Sequence, residues 1–322
     1  MKKFIINFFT FLLPLVLILL FIEYNLSLVP NSYNVKRNFF EEKINKIDVL
    51  VVGSSISLYG INPAYFSHTG FNLANVSQTE FYDKRLTLKY IDKIPNLKLV
   101  IIPIGYSGLY SQLHDSKEDW RDYFYYHFWN IRYKDLPLFD ARRYSYIALY
   151  SLDVTKKYIR SHFKPLEKMG DICNEYGYAP NDSAGKNTRI SDISGRARAL
   201  SHTQGYINQV KKNEMQFIID DLDGFLADLR GRHIKVVFIT PPVYHTYSEY
   251  CNKQILAIND SVIHSLSEKY NAPYYNYFSD PRFTIDDFAD NDHLCTNGAT
   301  RFSNIINNDI IIPSLNNSPL GN

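Results

Sequence analysis

With 322 residues and 45% apolar side chains, the chain is long enough to bury a substantial core. Its 35 basic and 33 acidic residues leave a formal net charge of +2 with no long charged tract, which gives no reason to invoke a nucleic-acid partner. The three cysteines (Cys173, Cys251, Cys295) are widely spaced and odd in number, which excludes a complete disulfide framework. Inert buried thiols are expected, and neither a metal site nor a cofactor is.

The first element is an uncharged run over residues 4–22, FIINFFTFLLPLVLILLFI, preceded by Lys2 and Lys3. About 19 residues at about 1.5 Å each match the hydrocarbon thickness of a bilayer, and membrane helices tolerate a proline such as Pro14. The run exceeds a usual signal-peptide core, and Glu23-Tyr24-Asn25-Leu26 follows it in place of a small-residue cleavage site. A retained anchor is therefore expected, with the amino terminus cytoplasmic and the main domain outside.

A polar juxtamembrane stretch over 23–46 leads to Asp48–Gly53, a β-branched apolar run that reads as a buried strand ending in a turn. Residues 70–77 suggest a second strand, 81–94 a helix and 97–105 a third strand. Met215, Phe217, Ile218, Leu222, Phe225, Leu226 and Leu229 then fall at amphipathic helical spacing. A fourth strand is expected over 234–240, a helix over 253–270, a strand near 274–278 and a helical region over 297–312. Nearly continuous apolar strands alternating with helices predict a parallel α/β sheet covered on both faces.

Between Ser107 and Lys212 this rhythm stops. The stretch holds DYFYYHFWN, ARRYSYIALYSL and a Gly/Asn/Ser-rich run from Asp171 to Ser194, and is read as an insertion with its own helices and a mobile loop. The expected organisation is an anchor over 1–22, the juxtamembrane stretch over 23–46, one α/β domain over 47–312 carrying the insertion 108–212, and a tail over 313–322. Aromatic residues, 26 Tyr and 21 Phe among them, exceed the needs of an ordinary core. Rings lining a groove or lying near a membrane are one reading, and AT-rich coding bias is the other. Arg142-Arg143 reads as a solvated pair of charges, and Tyr244 and His245 fall at the carboxyl end of the fourth strand, where they are candidates to line a site.

Ligands of parallel sheets bind beyond the carboxyl ends of the strands, which directs attention to Ser55, Ser77, Gly105-Tyr106-Ser107 and Asp290–His293. A serine hydroxyl needs a base to take its proton, commonly a histidine oriented by a carboxylate. The spacing of Asp290 and His293 lets the carboxylate reach the ring across one tight turn, and Asp292 is the alternative partner.

The joint placement of Gly53-Ser54-Ser55 near the start and Asp290-x-x-His293 before the last helix resembles the SGNH/GDSL hydrolase superfamily. The segments Ser55–Pro63 and Asp292-His293-Leu294 through Gly298-Ala299 are similar to its membrane-anchored branch, which includes proteins of cell-envelope polysaccharide acylation. The resemblance covers roughly 47–107 and 213–312. It implies a three-layer α/β sandwich with a flavodoxin-like sheet, a Ser55/Asp290/His293 triad, and oxyanion or substrate contacts at Ser77, Gly105 and Ser107. Ser77 stands where the family has an oxyanion glycine, and Ser107 stands where it has asparagine. The activity implied is O-acyl (acetyl) transfer to an envelope or capsular glycan through a Ser55 acyl-enzyme, with an integral-membrane partner supplying the acyl group. An esterase using the same triad and a catalytically degenerate glycan-binding or assembly subunit are the alternatives.

Overall fold

The computed structural model describes residues 1–110, 112–150, 154–156, 160, 172–181, 190–203 and 210–316. Part of the expected mobile loop (171 and 182–189) lies outside them. The chain divides into two compact units, 1–34 with 119–172 and 35–118 with 173–322.

The larger unit is built on five strands: β1 (Val49–Val51), β2 (Gly70–Asn72), β3 (Leu99–Pro103), β4 (Lys235–Thr240) and β5 (Tyr274–Asn276). They pair in the order β2-β1-β3-β4-β5, every pair parallel, with Val49 opposite both Gly70 and Leu99. This is the flavodoxin-like order, and the expected doubly covered α/β sheet is present. β2 and β5 are shorter than the sequence suggests, although the Leu73 N–H still donates to Val51 O at 2.7 Å and the Tyr277 N–H to Thr240 O at 2.9 Å.

Successive strand residues face opposite sides. Val49, Val51, Leu99, Ile101, Val237 and Ile239 share one core with Phe302 and Ile306 of the helix Thr296–Ile306 and with Ile310 and Ile311 beyond it. The alternate residues Leu50, Val100, Ile102 and Phe238 are equally buried and point to the other face. There the helix Val210–Gly231 packs between Glu80–Tyr90 and Lys253–Tyr270. It buries Ile218, Leu222, Phe225, Leu226 and Leu229, the predicted stripe, while Met215 and Phe217 stay half-buried. Each fully buried Leu, Ile or Phe contributes roughly 1.5–3 kcal/mol.

The strand order reverses between β1 and β3, because the chain goes from β1 outward to β2 and then crosses back. That switch point opens a crevice at the carboxyl ends of these two strands, which places Ser55 and Gly105–Ser107 on its two sides.

The smaller unit holds the helix Lys2–Ser27, whose apolar window is wholly exposed and which is long and apolar enough to cross a membrane. It also holds the helix Trp120–Trp129, formed by the aromatic run noted above. Tyr123, Phe124, Tyr125, Phe128 and Trp129 are buried, with Tyr33 about 5 Å from the Phe124 and Tyr125 rings. Those rings make a core and are not free to line a sugar groove. Arg142 and Arg143 are likewise no solvated pair. Arg142 chelates Asp140, and Arg143 lies over Tyr126 and Tyr144. All three cysteines are free and buried.

Candidate active site

Two residues beyond β1 stands Gly53, whose φ of +110° belongs to the region that favours glycine; a Cβ there would also come within 2.7 Å of Ser57 Oγ. The Gly53 N–H donates to Asp83 Oδ1 at 3.0 Å, and Gln78 Nε2 donates to the same oxygen at 2.6 Å. Burial pushes the Asp83 carboxyl up to about 7, against the pull of the Gln78 and Gly53 hydrogen bonds. This braced turn delivers Ser55 as the first residue of the helix Ser55–Gly60.

On the far side, the loop before the last helix is closed by an antiparallel bridge between Phe288 and Leu294 and by the Ala289 N–H donating to His293 O at 2.9 Å. Inside it, Asp290 Oδ1 accepts the backbone N–H groups of Asp292 (3.0 Å) and His293 (2.8 Å). The same carboxylate meets His293 Nδ1 at 2.9 Å. The three-residue spacing thus lets one side chain shape the turn and hold the ring. His293 Nε2 lies 2.9 Å from Ser55 Oγ. An ionised carboxylate can only accept, so Nδ1 carries the proton and Nε2 is left to accept from the serine hydroxyl. Ser55, His293 and Asp290 are therefore joined in one hydrogen-bonded chain. Tyr59 packs edge-on against the imidazole at 5.5 Å.

Asp292 lies 3.7 Å from Nδ1, outside hydrogen-bond reach, and its two oxygens accept Arg198 Nε at 3.0 and 3.1 Å. Burial alone depresses the His293 pKa. The charge of Asp292 and the hydrogen bond and charge of Asp290 outweigh it, so the net shift is upward, with Arg198 opposing. Burial pushes the Asp290 carboxyl up, but its bonds to His293 and to the backbone win and hold it well below the usual range. His202 lies behind this cluster, its Nδ1 2.6 Å from Tyr247 Oη, and burial lowers its pKa to about 4.

Ser55 opens into a cavity of about 300 Å³ that Ser77, Gly105, Ser107, Arg198, His202 and Tyr247 also line. Ser77 takes a left-handed φ of +55°, a conformation that costs a non-glycine residue about 1–3 kcal/mol, and its hydroxyl donates to Glu118 at 2.7 Å. A Cβ on Gly105 would meet Ile56 Cδ1 at 2.9 Å, so the end of that side chain would have to shift. Among the described residues the backbone N–H groups of Ser55, Ser77 and Ser107 donate to no protein acceptor. Tyr244 and His245 stand aside from the cavity. Tyr244 donates its N–H to Asn291 O at 3.0 Å and packs on Phe288, and it is Thr240, Pro241 and Val243 that reach the wall.

Asp290, Asp292 and His293 also offer ligand atoms within 4.8 Å of one another. Each is already engaged, Asp290 with Nδ1, Asp292 with Arg198 and Nε2 with Ser55, so the set is satisfied without a cation. Arg198, Asp83 and His202 carried no sequence signal. Arg198 and His202 fall in the unpatterned stretch, and Asp83 is one of several acids on a helix.

No family model matches the chain, and no curated protein matches it. Among solved structures, a protein provisionally described as a platelet activating factor from Streptococcus pneumoniae is similar over 93% of this chain and 98% of its own, with 11% identity and a TM-score of 0.41. A provisionally described acylhydrolase from Bacteroides fragilis is similar over 88% and 99%, with 12% identity and a TM-score of 0.39.

Proposed function

We propose that the chain is a serine-dependent acyl-transfer enzyme in which Ser55 is the nucleophile, His293 the general base and Asp290 the residue that orients it. The single observation that carries this reading is the continuous Ser55–His293–Asp290 hydrogen-bonded chain, 2.9 Å at each imidazole nitrogen, beside a cavity. Ser55 Oγ attacks the carbonyl carbon of an acyl ester while His293 Nε2 takes the hydroxyl proton. The tetrahedral oxyanion draws on the unengaged N–H groups of Ser55, Ser77 and Ser107, which is a matter of backbone geometry and leaves Ser77 competent in place of glycine. The departing alkoxide takes the proton back from His293, leaving an ester on Ser55. A second hydroxyl then gives its proton to Nε2, attacks that ester and restores the serine.

The second hydroxyl is proposed to belong to a cell-envelope or capsular glycan, which makes the enzyme an O-acetyltransferase or related O-acyltransferase. The reading is supported by the sequence resemblance and by the apolar helix Lys2–Ser27, taken as a retained anchor with the catalytic unit outside the cytoplasm. One span moves no acyl group across a bilayer, so an integral-membrane partner would supply it. Water in place of the glycan gives the alternative, an esterase, with the same residues. The deciding experiment loads the full-length protein with an activated acetyl ester and compares release to water with transfer to added oligosaccharide. Transfer that rises with oligosaccharide and vanishes in Ser55→Ala supports the transferase, and release to water alone makes the protein an esterase.

A further inference from the structure

The smaller unit presents apolar and aromatic groups that its own core does not use. The uncharged run of the helix Lys2–Ser27 ends at Glu23, about 30 Å of helix from Lys3 at about 1.5 Å per residue. The Glu23 carboxylate accepts the Tyr146 N–H at 2.7 Å and the Ile147 N–H at 3.4 Å, and also the Ser145 hydroxyl. It thereby caps the helix Tyr146–Leu149 and ties the preceding loop to the turn where the apolar run stops.

That loop, Leu138–Tyr144, is fixed. Tyr144 Oη donates to Leu138 O at 2.7 Å, and Asp140 accepts the Arg142 N–H at 2.9 Å and the Tyr123 hydroxyl at 2.7 Å. On this braced frame Phe139 is 100% exposed, Leu138 57% and Tyr144 66%. Holding a whole Phe in water forgoes roughly 1.5–3 kcal/mol of burial. Arg143 lies over the Tyr126 and Tyr144 rings, at 5.5 and 5.6 Å, with its Nε and Nη1 atoms buried, so it belongs to the frame that holds the loop. Exposed apolar and aromatic side chains, held on a fixed loop at the end of an apolar span, match the chemistry of the bilayer interface, where amphipathic rings sit at headgroup level.

We propose that Leu138–Tyr144 is a second membrane contact of this chain. Leu138 and Phe139 enter the headgroup–acyl boundary, and Tyr144 stays among the headgroups. The proposal rests on the reading of Lys2–Ser27 as a membrane span.

The test uses full-length protein in phosphatidylcholine–phosphatidylglycerol vesicles carrying brominated lipids, with Phe139→Trp read as the difference from the two native tryptophans. Phe11→Trp in the span and Ile193→Trp on the other unit serve as references. The expected result is a shift of Phe139→Trp emission to shorter wavelength, with stronger quenching by bromines near the headgroup than by bromines near the chain ends. Phe11→Trp is quenched by deep bromines and Ile193→Trp by neither. A quenched Phe11→Trp beside an unquenched, solvent-like Phe139→Trp overturns the second contact alone. If Phe11→Trp is also unquenched, the span reading fails and the loop contact falls with it.

Discussion

Two carboxylates flank one imidazole nitrogen with different hydrogen bonds, and the proposed mechanism gives them different work that substitution to asparagine separates. Asp290 lies 2.9 Å and Asp292 3.7 Å from His293 Nδ1. At an effective dielectric constant of about 20, those distances correspond to about 6 and about 4.5 kcal/mol of attraction for the imidazolium, so charge alone barely distinguishes them. The hydrogen bond does. Asp290→Asn replaces an obligatory acceptor with a group that can also donate, releasing the tautomer and the ring orientation, for which a loss of about 10³–10⁴-fold in kcat/KM is expected. Asp292→Asn leaves the Asp290 bond intact but leaves Arg198 facing the ring without its counter-charge. A loss of about 10-fold or less is expected at alkaline pH, together with a lowered His293 pKa that moves the acid limb of the pH profile to lower pH. Hydrolysis of p-nitrophenyl acetate by each full-length variant across the pH range measures both quantities. Equal losses for the two variants, or an Asp292→Asn loss exceeding that of Asp290→Asn, would refute the assignment of Asp290 as the orienting residue.

In the proposed mechanism His293 must be neutral to act as base, and its pKa is raised. The acid limb of kcat/KM should therefore fall at a pH above the ordinary histidine value of about 6.5, and a limb below it contradicts the balance of charges described. His202, with a folded pKa of about 4 against about 6.5 when unfolded, takes up its proton more readily in the unfolded chain. Stability should drop by up to about 3 kcal/mol as pH falls through that window, and thermal melts of His202→Gln should show a shallower slope there. Gly53→Ala places a side chain at φ +110° and 2.7 Å from Ser57 Oγ. It should cost about 1–3 kcal/mol in a denaturant titration and depress activity through Ser55, and an unchanged midpoint would show that the turn relaxes freely.

The long apolar helix, the central strands and the Val210–Gly231 stripe were legible because each is a periodic, local pattern that burial enforces. Ser55 and Asp290/His293 were legible because chemistry restricts residue type at the end of a strand and across a three-residue turn. The Asp292–Arg198 pair was not legible, since its partners are 94 residues apart and an arginine in unpatterned sequence carries no mark of what it will meet. Asp83 beneath the Gly53 turn was hidden in the same way. The aromatic run of Trp120–Trp129 was weighed as groove lining or membrane contact against coding bias, and its packing into a core showed only with its neighbours, Tyr33 and Tyr150. Ser77 was visible only as a departure from glycine. Its left-handed backbone and its bond to Glu118 became visible only in the structure.

The central claim is that Ser55 becomes covalently acylated with the help of His293. Intact-mass and peptide analysis of full-length protein treated with a fluorophosphonate and, separately, with an activated acetyl ester tests it most directly. A single adduct on the peptide containing Ser55, absent from Ser55→Ala and strongly slowed in His293→Gln, is the predicted result. No adduct on wild-type protein, or one that persists unchanged in either variant, contradicts the account.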